Sequence, residues 1–94
     1  MDQIELDGKK LRADRIPLPN SALLVIQAEK GMLGCGYLSV ETADKLGHAL
    51  AIVTGVACYD DMLNASVVRV SSAAAVLGVT VGMTGRDALR RMNS

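Results

Sequence analysis

The chain of 94 residues contains a cysteine between two glycines, Gly34-Cys35-Gly36. A cysteine thiolate is a strong nucleophile, and glycines beside it leave backbone N–H groups open to a ligand or an oxyanion. A thiol-dependent enzyme or redox protein would therefore use Cys35. The same glycines also allow a strand to cross another backbone closely, with Cys35 as a small apolar filler. The sequence favours this packing role, because no neighbouring residue guarantees the positive surroundings that activate a thiol.

His48 is the only histidine, so any Cys–His or Ser–His mechanism must use it. The spacing of apolar residues predicts a helix through this region, with His48 on the side away from the apolar stripe. A surface histidine is the favoured interpretation. A Cys35–His48 pair requires the polar side of the helix to face the glycine turn, within one chain or across a subunit boundary.

Two aspartates, Asp60 and Asp61, are adjacent and raise the question of acid/base chemistry. Neighbouring residues in a helical turn point about 100° apart, so the two carboxylates do not easily share one proton. We expect Asp60 to cap the start of a short helix instead. Cys58 follows an apolar run and is predicted to be a core residue.

A glycine-flanked helix start with an arginine in its first turn is found at Gly82-Met83-Thr84-Gly85-Arg86. Backbone N–H groups at a helix N-terminus bind anions such as phosphate or carboxylate. The run lacks the Gly-Lys-Ser/Thr core of a phosphate-binding P-loop, and an ordinary capped helix is the favoured alternative. The candidate ligand-binding residues are Gly34, Gly36, Thr84, Gly85 and Arg86.

Composition predicts an aliphatic core and self-association. Half of the residues are hydrophobic, but there are only two tyrosines and no tryptophan or phenylalanine. The mean hydropathy of +0.28 leaves apolar side chains over for the surface of so small a domain. We therefore expect a homo-oligomer.

Charge, apolar run length and cysteine usage argue against a nucleic-acid-binding, membrane-spanning or zinc-binding protein. Ten Lys and Arg balance ten Asp and Glu, which argues against nucleic-acid binding. No apolar run reaches the ~20 residues of a membrane span, and the first residues do not resemble a signal peptide. We expect a cytoplasmic protein with reduced cysteines, no membrane association, no metal site and no cofactor.

The first half of the chain predicts two hairpins. Strands over 4–6 and 9–15 flank Asp7-Gly8, a pair typical of a type I′ turn. Pro17 and Pro19 are expected to end the pairing, because neither can donate a backbone hydrogen bond. An apolar strand over 22–28 is then expected to pair with residues 32–38, whose strand would carry Cys35.

The second half predicts helices around one further strand. Ser39 is a candidate N-cap for a helix through about residue 50, in which Gly47 is a flaw. A buried strand over 51–58 and a helical turn over 60–63 follow. A helix over 66–77 would end at Gly78, although Val67-Val68 also suits a strand. The last helix starts from a capping box at Thr84 and runs to about residue 92.

This order of elements predicts one α+β domain over residues 1–94, with a mixed or mainly antiparallel sheet and helices packed on one face.

Several motifs, in this order and spacing, resemble the YunC-like family of small bacterial and archaeal proteins of unknown function. The matching runs are Gly31 with Cys35-Gly36-Tyr37-Leu38; Gly55-Val56 with Tyr59-Asp60-Asp61-Met62-Leu63; Ala74 with Leu77-Gly78-Val79; and Gly82-Met83-Thr84-Gly85-Arg86-Asp87-Ala88-Leu89. The resemblance implies a compact α+β domain without an assigned catalytic residue. Cys58 and Tyr59 depart from the family pattern, where a threonine and an aliphatic residue are expected.

Two hypotheses about function follow. The first is a small non-catalytic, oligomeric domain that binds a small anionic ligand or a protein partner. The alternative is a thiol-dependent enzyme or redox protein that uses Cys35, assisted by His48 or Asp60. The first is favoured because the titratable groups are few and scattered along the chain.

Overall fold

A computed structural model describes residues 1–93 of the chain. One mixed sheet of six strands, in the order β1-β2-β3-β4-β5-β6, is accompanied by four helices. The strands are β1 (Asp2–Leu6), β2 (Lys9–Leu18), β3 (Ser21–Gln27), β4 (Met32–Gly34), β5 (Leu50–Ile52) and β6 (Arg69–Val70). The helices are α1 (Val40–Leu46), α2 (Tyr59–Asn64), α3 (Ser72–Val76) and α4 (Gly85–Met92). The predicted α+β fold is confirmed.

Neighbouring strands pair antiparallel except β4 and β5, which run parallel. A parallel pair needs a crossover connection, and α1 lies in that connection. The carboxyl ends of β4 and β5 therefore meet at the same edge of the sheet.

The Asp7-Gly8 hairpin between β1 and β2 is confirmed. Asp7 and Gly8 adopt φ angles of 53° and 81°, as the positive-φ positions of a type I′ turn require.

The expectation that Pro17 and Pro19 end the pairing is wrong for Pro17. Strand β2 runs through Pro17, which pairs with Ala22, to Leu18. Strand β1 pairs with β2 only as far as Ala13, so beyond that residue β2 has a partner on one side only. A proline is tolerated there, because its missing N–H can face the side without a partner strand.

The second predicted hairpin pairs β3 with β4, but β4 ends at Gly34 and not at residue 38. The chain turns directly afterwards, and the N–H of Leu38 donates to the carbonyl of Cys35. Strand β5 is also shorter than the predicted 51–58. It ends at Ile52, and Gly55 (φ 71°) lies in the turn that follows.

The prediction of the α1 start is confirmed, and the prediction of its end is wrong. The Ser39 hydroxyl accepts from the Thr42 N–H at the N-cap. Gly47 is the C-cap, with φ 73°, and not an internal flaw. A glycine in this left-handed conformation ends a helix, so Leu50 is free to begin β5.

The helix predicted over 66–77 is mostly not helical. The backbone N–H groups of Val68 and Ser71 donate to carbonyls of β5, so this part of the chain forms the edge strand β6. Ser71 then caps α3, accepting from the Ala74 N–H. A strand, which Val67-Val68 suggested as the alternative, therefore replaces the first part of the predicted helix.

The core lies on both faces of the sheet. The larger cluster joins β1–β5 to α2, α3 and α4, through side chains such as Leu33, Met62 and Leu89. A smaller cluster joins α1 to the opposite face, through Val40, Leu50 and their neighbours. The prediction that the helices pack on one face is met by α2, α3 and α4 and is wrong for α1, which covers the other face. No helix within residues 1–93 has the length and apolar character needed to cross a membrane.

Candidate functional site

A surface cleft of about 560 Å³ opens at the edge of the sheet where β4 and β5 end. In open sheets, ligands bind outside the carboxyl ends of parallel strands, because the connections diverge there. The lining residues come from the β2–β3 corner, the turn after β4 and the loop after β5: Arg15, Asn20, Ser21, Ala22, Cys35, Gly36, Tyr37, Thr54, Gly55, Val56 and Ala57. This cleft is the candidate functional site.

Cys35 forms part of the floor of the cleft, with only 4% of its surface exposed. Its N–H donates to the Leu24 carbonyl (3.1 Å), which extends the β3–β4 ladder by one bond. The Leu24 N–H donates to Cys35 Sγ (3.3 Å). Because the Cys35 carbonyl accepts from Leu38 in the turn, the sulfur accepts the hydrogen bond that a strand carbonyl would normally take.

Arg15 is the only charged side chain among the described residues that line the cleft. It lies on the part of β2 that extends beyond β1. Its Nε donates to the Ala57 carbonyl (3.3 Å), which links β2 to the loop after β5. The site therefore carries a positive formal charge, although the whole chain carries none.

Hydroxyl groups form one wall of the cleft. The hydroxyls of Ser21, at the start of β3, and Tyr37, in the turn after β4, are hydrogen-bonded at 2.8 Å. Thr54 adds a third hydroxyl from the loop after β5. These groups come from three separate elements, so only the folded chain brings them together.

The two glycines beside Cys35 have different roles. A Cβ on Gly34 would lie 2.2 Å from Leu38 Cδ1, so Gly34 is buried beneath that side chain. A Cβ on Gly36 would meet only Thr54 Cγ2, at 3.4 Å. Gly36 therefore lines the cleft, whereas Gly34 permits close packing.

The predicted anion site at the start of α4 is part of the packing between α4 and α2. A Cβ on Gly85 would lie 2.0 Å from the Met62 carbonyl oxygen, and the Gly85 N–H donates to the Ala65 carbonyl (2.9 Å). Thr84 Oγ1 accepts from the Asp87 N–H (3.2 Å), which confirms the helix cap. Arg86 Nη2 lies 3.5 Å from Asn64 Oδ1. Thr84, Gly85 and Arg86 do not line the cleft.

His48 is exposed and lies in the link between α1 and β5, not on the predicted helix. Its carbonyl accepts from the buried Ser71 hydroxyl (2.8 Å). Its side chain faces a separate groove of about 230 Å³ together with Leu46 and Tyr37. His48 and Cys35 therefore do not line the same cavity.

Two expectations about the start of α2 are wrong. The N-cap is Cys58 and not Asp60, and Cys58 is exposed rather than part of the core. Strand β5 ends at Ile52 and Val53 is still buried, but residues 54–58 form a largely exposed loop and do not continue a buried strand. Asp61 fixes this loop by accepting from the Ala57 N–H (3.0 Å).

The clear pKa shifts of the described residues lie outside the cleft. Hydrogen bonds from Arg90 and Arg69 lower the pKa of Asp7 and Glu41 respectively. Burial, and then the hydrogen bond to Asp2, raise the pKa of Tyr59 to about 12. Within residues 1–93, no group of three His, Cys, Asp or Glu side chains is arranged to hold a metal ion.

Several cleft residues have no local signal in the sequence: Arg15, Ser21, Tyr37, Thr54 and Gly55. Arg15 appears as one of several charges in a strand, and Ser21 appears as a turn residue. Recognising β4 and β5 as a parallel pair would have located the edge, because the residues after both strands must then meet.

Comparisons with known proteins point to one family. Residues 34–92 match the model of the domain of unknown function DUF1805. The uncharacterized protein YunC of Bacillus subtilis (strain 168) is 32% identical over 93 residues, which cover 95% of this chain and 92% of that protein. The crystal structure of a protein of unknown function from Thermoplasma acidophilum superimposes with a TM-score of 0.91 at 38% identity. The match covers 97% of this chain and 89% of the other.

Proposed function

The chain belongs to the YunC-like family of the domain of unknown function DUF1805, and we propose that it is a non-catalytic domain whose cleft at the ends of β4 and β5 binds a small ligand. The observation that carries the proposal is the composition of this cleft. One fixed cation, several hydroxyls and an accessible glycine converge there from separate elements. Ligand sites typically combine a concave surface of ~300–1,000 Å³ with a few convergent polar groups.

The arrangement of the titratable groups supports binding over catalysis. Cys35 Sγ accepts a backbone hydrogen bond that the sheet would otherwise lack. His48 and Asp60 do not line the cleft, so neither is positioned to act as a base for this thiol.

Heteronuclear NMR with a panel of small organic anions and neutral polyols tests the proposal. A ligand of the cleft is expected to shift the amide signals of Gly36 and Gly55 while leaving those of α4 unchanged. Arg15→Ala is expected to weaken binding of an anion about tenfold or more, because a charge-assisted hydrogen bond is lost. Arg12→Ala, on the same strand but outside the cleft, is the matched control.

Two results contradict the proposal. One is the absence of binding by any member of the panel at millimolar concentration. The other is binding that is weakened by Arg86→Ala and not by Arg15→Ala. That result would mean that the ligand binds at the start of α4.

The thiol-dependent alternative is tested by iodoacetamide labelling across pH in a Cys58→Ser background, which removes the exposed cysteine. If Cys35 is structural, it is expected to resist modification until the protein is unfolded. Rapid labelling of the folded protein below pH 7 would reverse the ranking, because it requires a stabilised thiolate.

The proposal includes self-association in the cytoplasm. Tyr37 and Leu46 are large apolar side chains that are 60% and 62% exposed beside the groove of His48. Contact between two copies would remove such surface from water. Both cysteines are free thiols, as in proteins of a reducing compartment.

Sedimentation velocity at low micromolar concentration tests the assembly. A species larger than the 9.9 kDa chain is expected, and Leu46→Glu is expected to shift it toward the monomer. A clean monomer for the unmodified protein would contradict the proposal.

A further inference from the structure

From the chemistry of the cleft walls, we infer that its ligand is a polyhydroxylated monocarboxylate, that is, a small sugar acid. The inference rests on the proposed function, because it names the ligand class of that same site. It follows from the charge of the cleft, the geometry of its cation and the hydroxyl groups that surround it.

The geometry of Arg15 suits a carboxylate. Its guanidinium is anchored at one end, where Nε donates to the Ala57 carbonyl (3.3 Å). The other end carries the two Nη atoms. Their parallel N–H groups match the two oxygens of a carboxylate in a bidentate pair. The anchor also reduces the conformational freedom that the side chain loses on binding.

The charge of the cleft distinguishes a carboxylate from a phosphate. Arg15 contributes a charge of +1 and is the only charged residue among the described residues of the lining; the Asp61 carboxylate, which accepts from the Ala57 N–H, lies outside it. A carboxylate carries −1, so a single guanidinium neutralises it. A phosphate monoester carries about −1.5 to −2 at neutral pH and would remain partly uncompensated.

The hydroxyl groups indicate what the rest of the ligand contains. In the Ser21–Tyr37 pair, one hydroxyl donates to the other, and the second O–H and several lone pairs remain available to a ligand. Thr54 adds a similar group, and Asn20 adds an amide. These neutral groups both donate and accept, and hydroxyls of a ligand can satisfy both capacities.

Isothermal titration calorimetry with four probes separates these features. Gluconate has both the carboxylate and the hydroxyls, hexanoate lacks the hydroxyls, sorbitol lacks the charge, and glucose 6-phosphate replaces the carboxylate by a phosphate. Gluconate is expected to bind about tenfold or more tightly than each of the other three.

Variants then assign each preference to its residue. Arg15→Ala is expected to remove the preference for gluconate over sorbitol. Tyr37→Phe is expected to reduce the preference for gluconate over hexanoate without weakening hexanoate, which a merely destabilised protein would not do. Arg12→Ala, outside the cleft, is expected to change neither ratio.

The outcomes distinguish this inference from the proposed function. If glucose 6-phosphate, hexanoate or sorbitol binds most tightly, the sugar-acid class is overturned. If that binding still depends on Arg15 or Tyr37, the cleft remains a ligand site. Failure of all four probes to bind overturns the sugar-acid class. If the wider NMR panel also gives no binder, the proposed function fails with it.

Discussion

Two segments of this chain, 34–36 and 84–86, each place a glycine next to a cysteine or an arginine. Segment 34–36 lies shortly before α1, and segment 84–86 lies at the start of α4. In the folded protein, segment 34–36 lies at the carboxyl end of β4 and contributes Cys35 and Gly36 to the cleft. Segment 84–86 lies where α4 meets α2, with the Gly85 backbone against the Met62 carbonyl. One segment faces an open cleft, and the other joins two helices.

The difference shows that a glycine beside a reactive residue does not by itself mark a binding site. What matters is the space in which its missing side chain would lie. Even within segment 34–36, Gly34 is covered by Leu38, whereas Gly36 has an open side towards Thr54. Substitutions in both segments test this comparison. Alanine at Gly36 or Gly85 adds a methyl group, and alanine at Cys35 or Thr84 removes a hydrogen-bond acceptor.

The largest effect is expected for Gly85→Ala. Its Cβ would lie 2.0 Å from a backbone oxygen of α2, which cannot move without displacing the helix. Overpacking typically costs about 1–3 kcal/mol in the free energy of unfolding and occasionally more, and a contact with backbone, which cannot repack, lies at the upper end of that range. Urea denaturation measures it. A stability near that of the unmodified protein would mean that α2 and α4 are not in backbone contact.

A smaller loss is expected for Cys35→Ala. The substitution removes the acceptor of the buried Leu24 N–H, and an unsatisfied buried donor costs about 1–3 kcal/mol. Cys35→Ser keeps an acceptor and is expected to lose less in the same denaturation experiment. Cys58→Ala, at an exposed position, is the control. Equal stabilities of the two alanine variants would contradict a structural role for Cys35.

Thr84→Ala is expected to cost about 1 kcal/mol, because the Asp87 N–H loses its capping oxygen. Ligand binding is expected to stay unchanged, since Thr84 does not line the cleft. Thermal denaturation and the calorimetric titration measure the two quantities. A loss of affinity with retained stability would move the site to segment 84–86.

The smallest change in stability is expected for Gly36→Ala, within about 0.5 kcal/mol, as for exposed positions without strain. The added methyl group lies in the cleft, so affinity for an anionic ligand is expected to fall while the melting temperature is retained. The reverse pattern, with unchanged affinity and a large loss of stability, would mean that Gly36 is a packing residue like Gly34.

Much of the fold was predictable wherever a local interaction determines the structure. Asp7-Gly8 forms the expected turn, and Ser39 and Thr84 cap helices as their side chains allow. The prediction failed where pairing with a distant segment decided the outcome. Residues before Ser71 form a strand because β5 lies beside them, and the local helical pattern does not contain that information.

The candidate site was predictable only in part. Cys35 and Gly36 were identified because their types are unusual, and both line the cleft. Arg15 was not identified, since its importance comes from contact with the loop 42 residues away in sequence. The roles of Gly47 and Cys58 were misjudged because helix and strand ends depend on which neighbour takes the next backbone hydrogen bond.

The sequence by itself determined the α+β class, the first hairpin, the N-caps at Ser39 and Thr84 and the aliphatic core, because each follows from residue type and short-range spacing. The tertiary structure alone decided which glycines are open and which are buried, and it brought Arg15, Tyr37 and Thr54 to one edge of the sheet. The physical reason is the parallel pairing of β4 with β5. It places two loops from distant parts of the chain side by side, and no local preference of either loop encodes that contact.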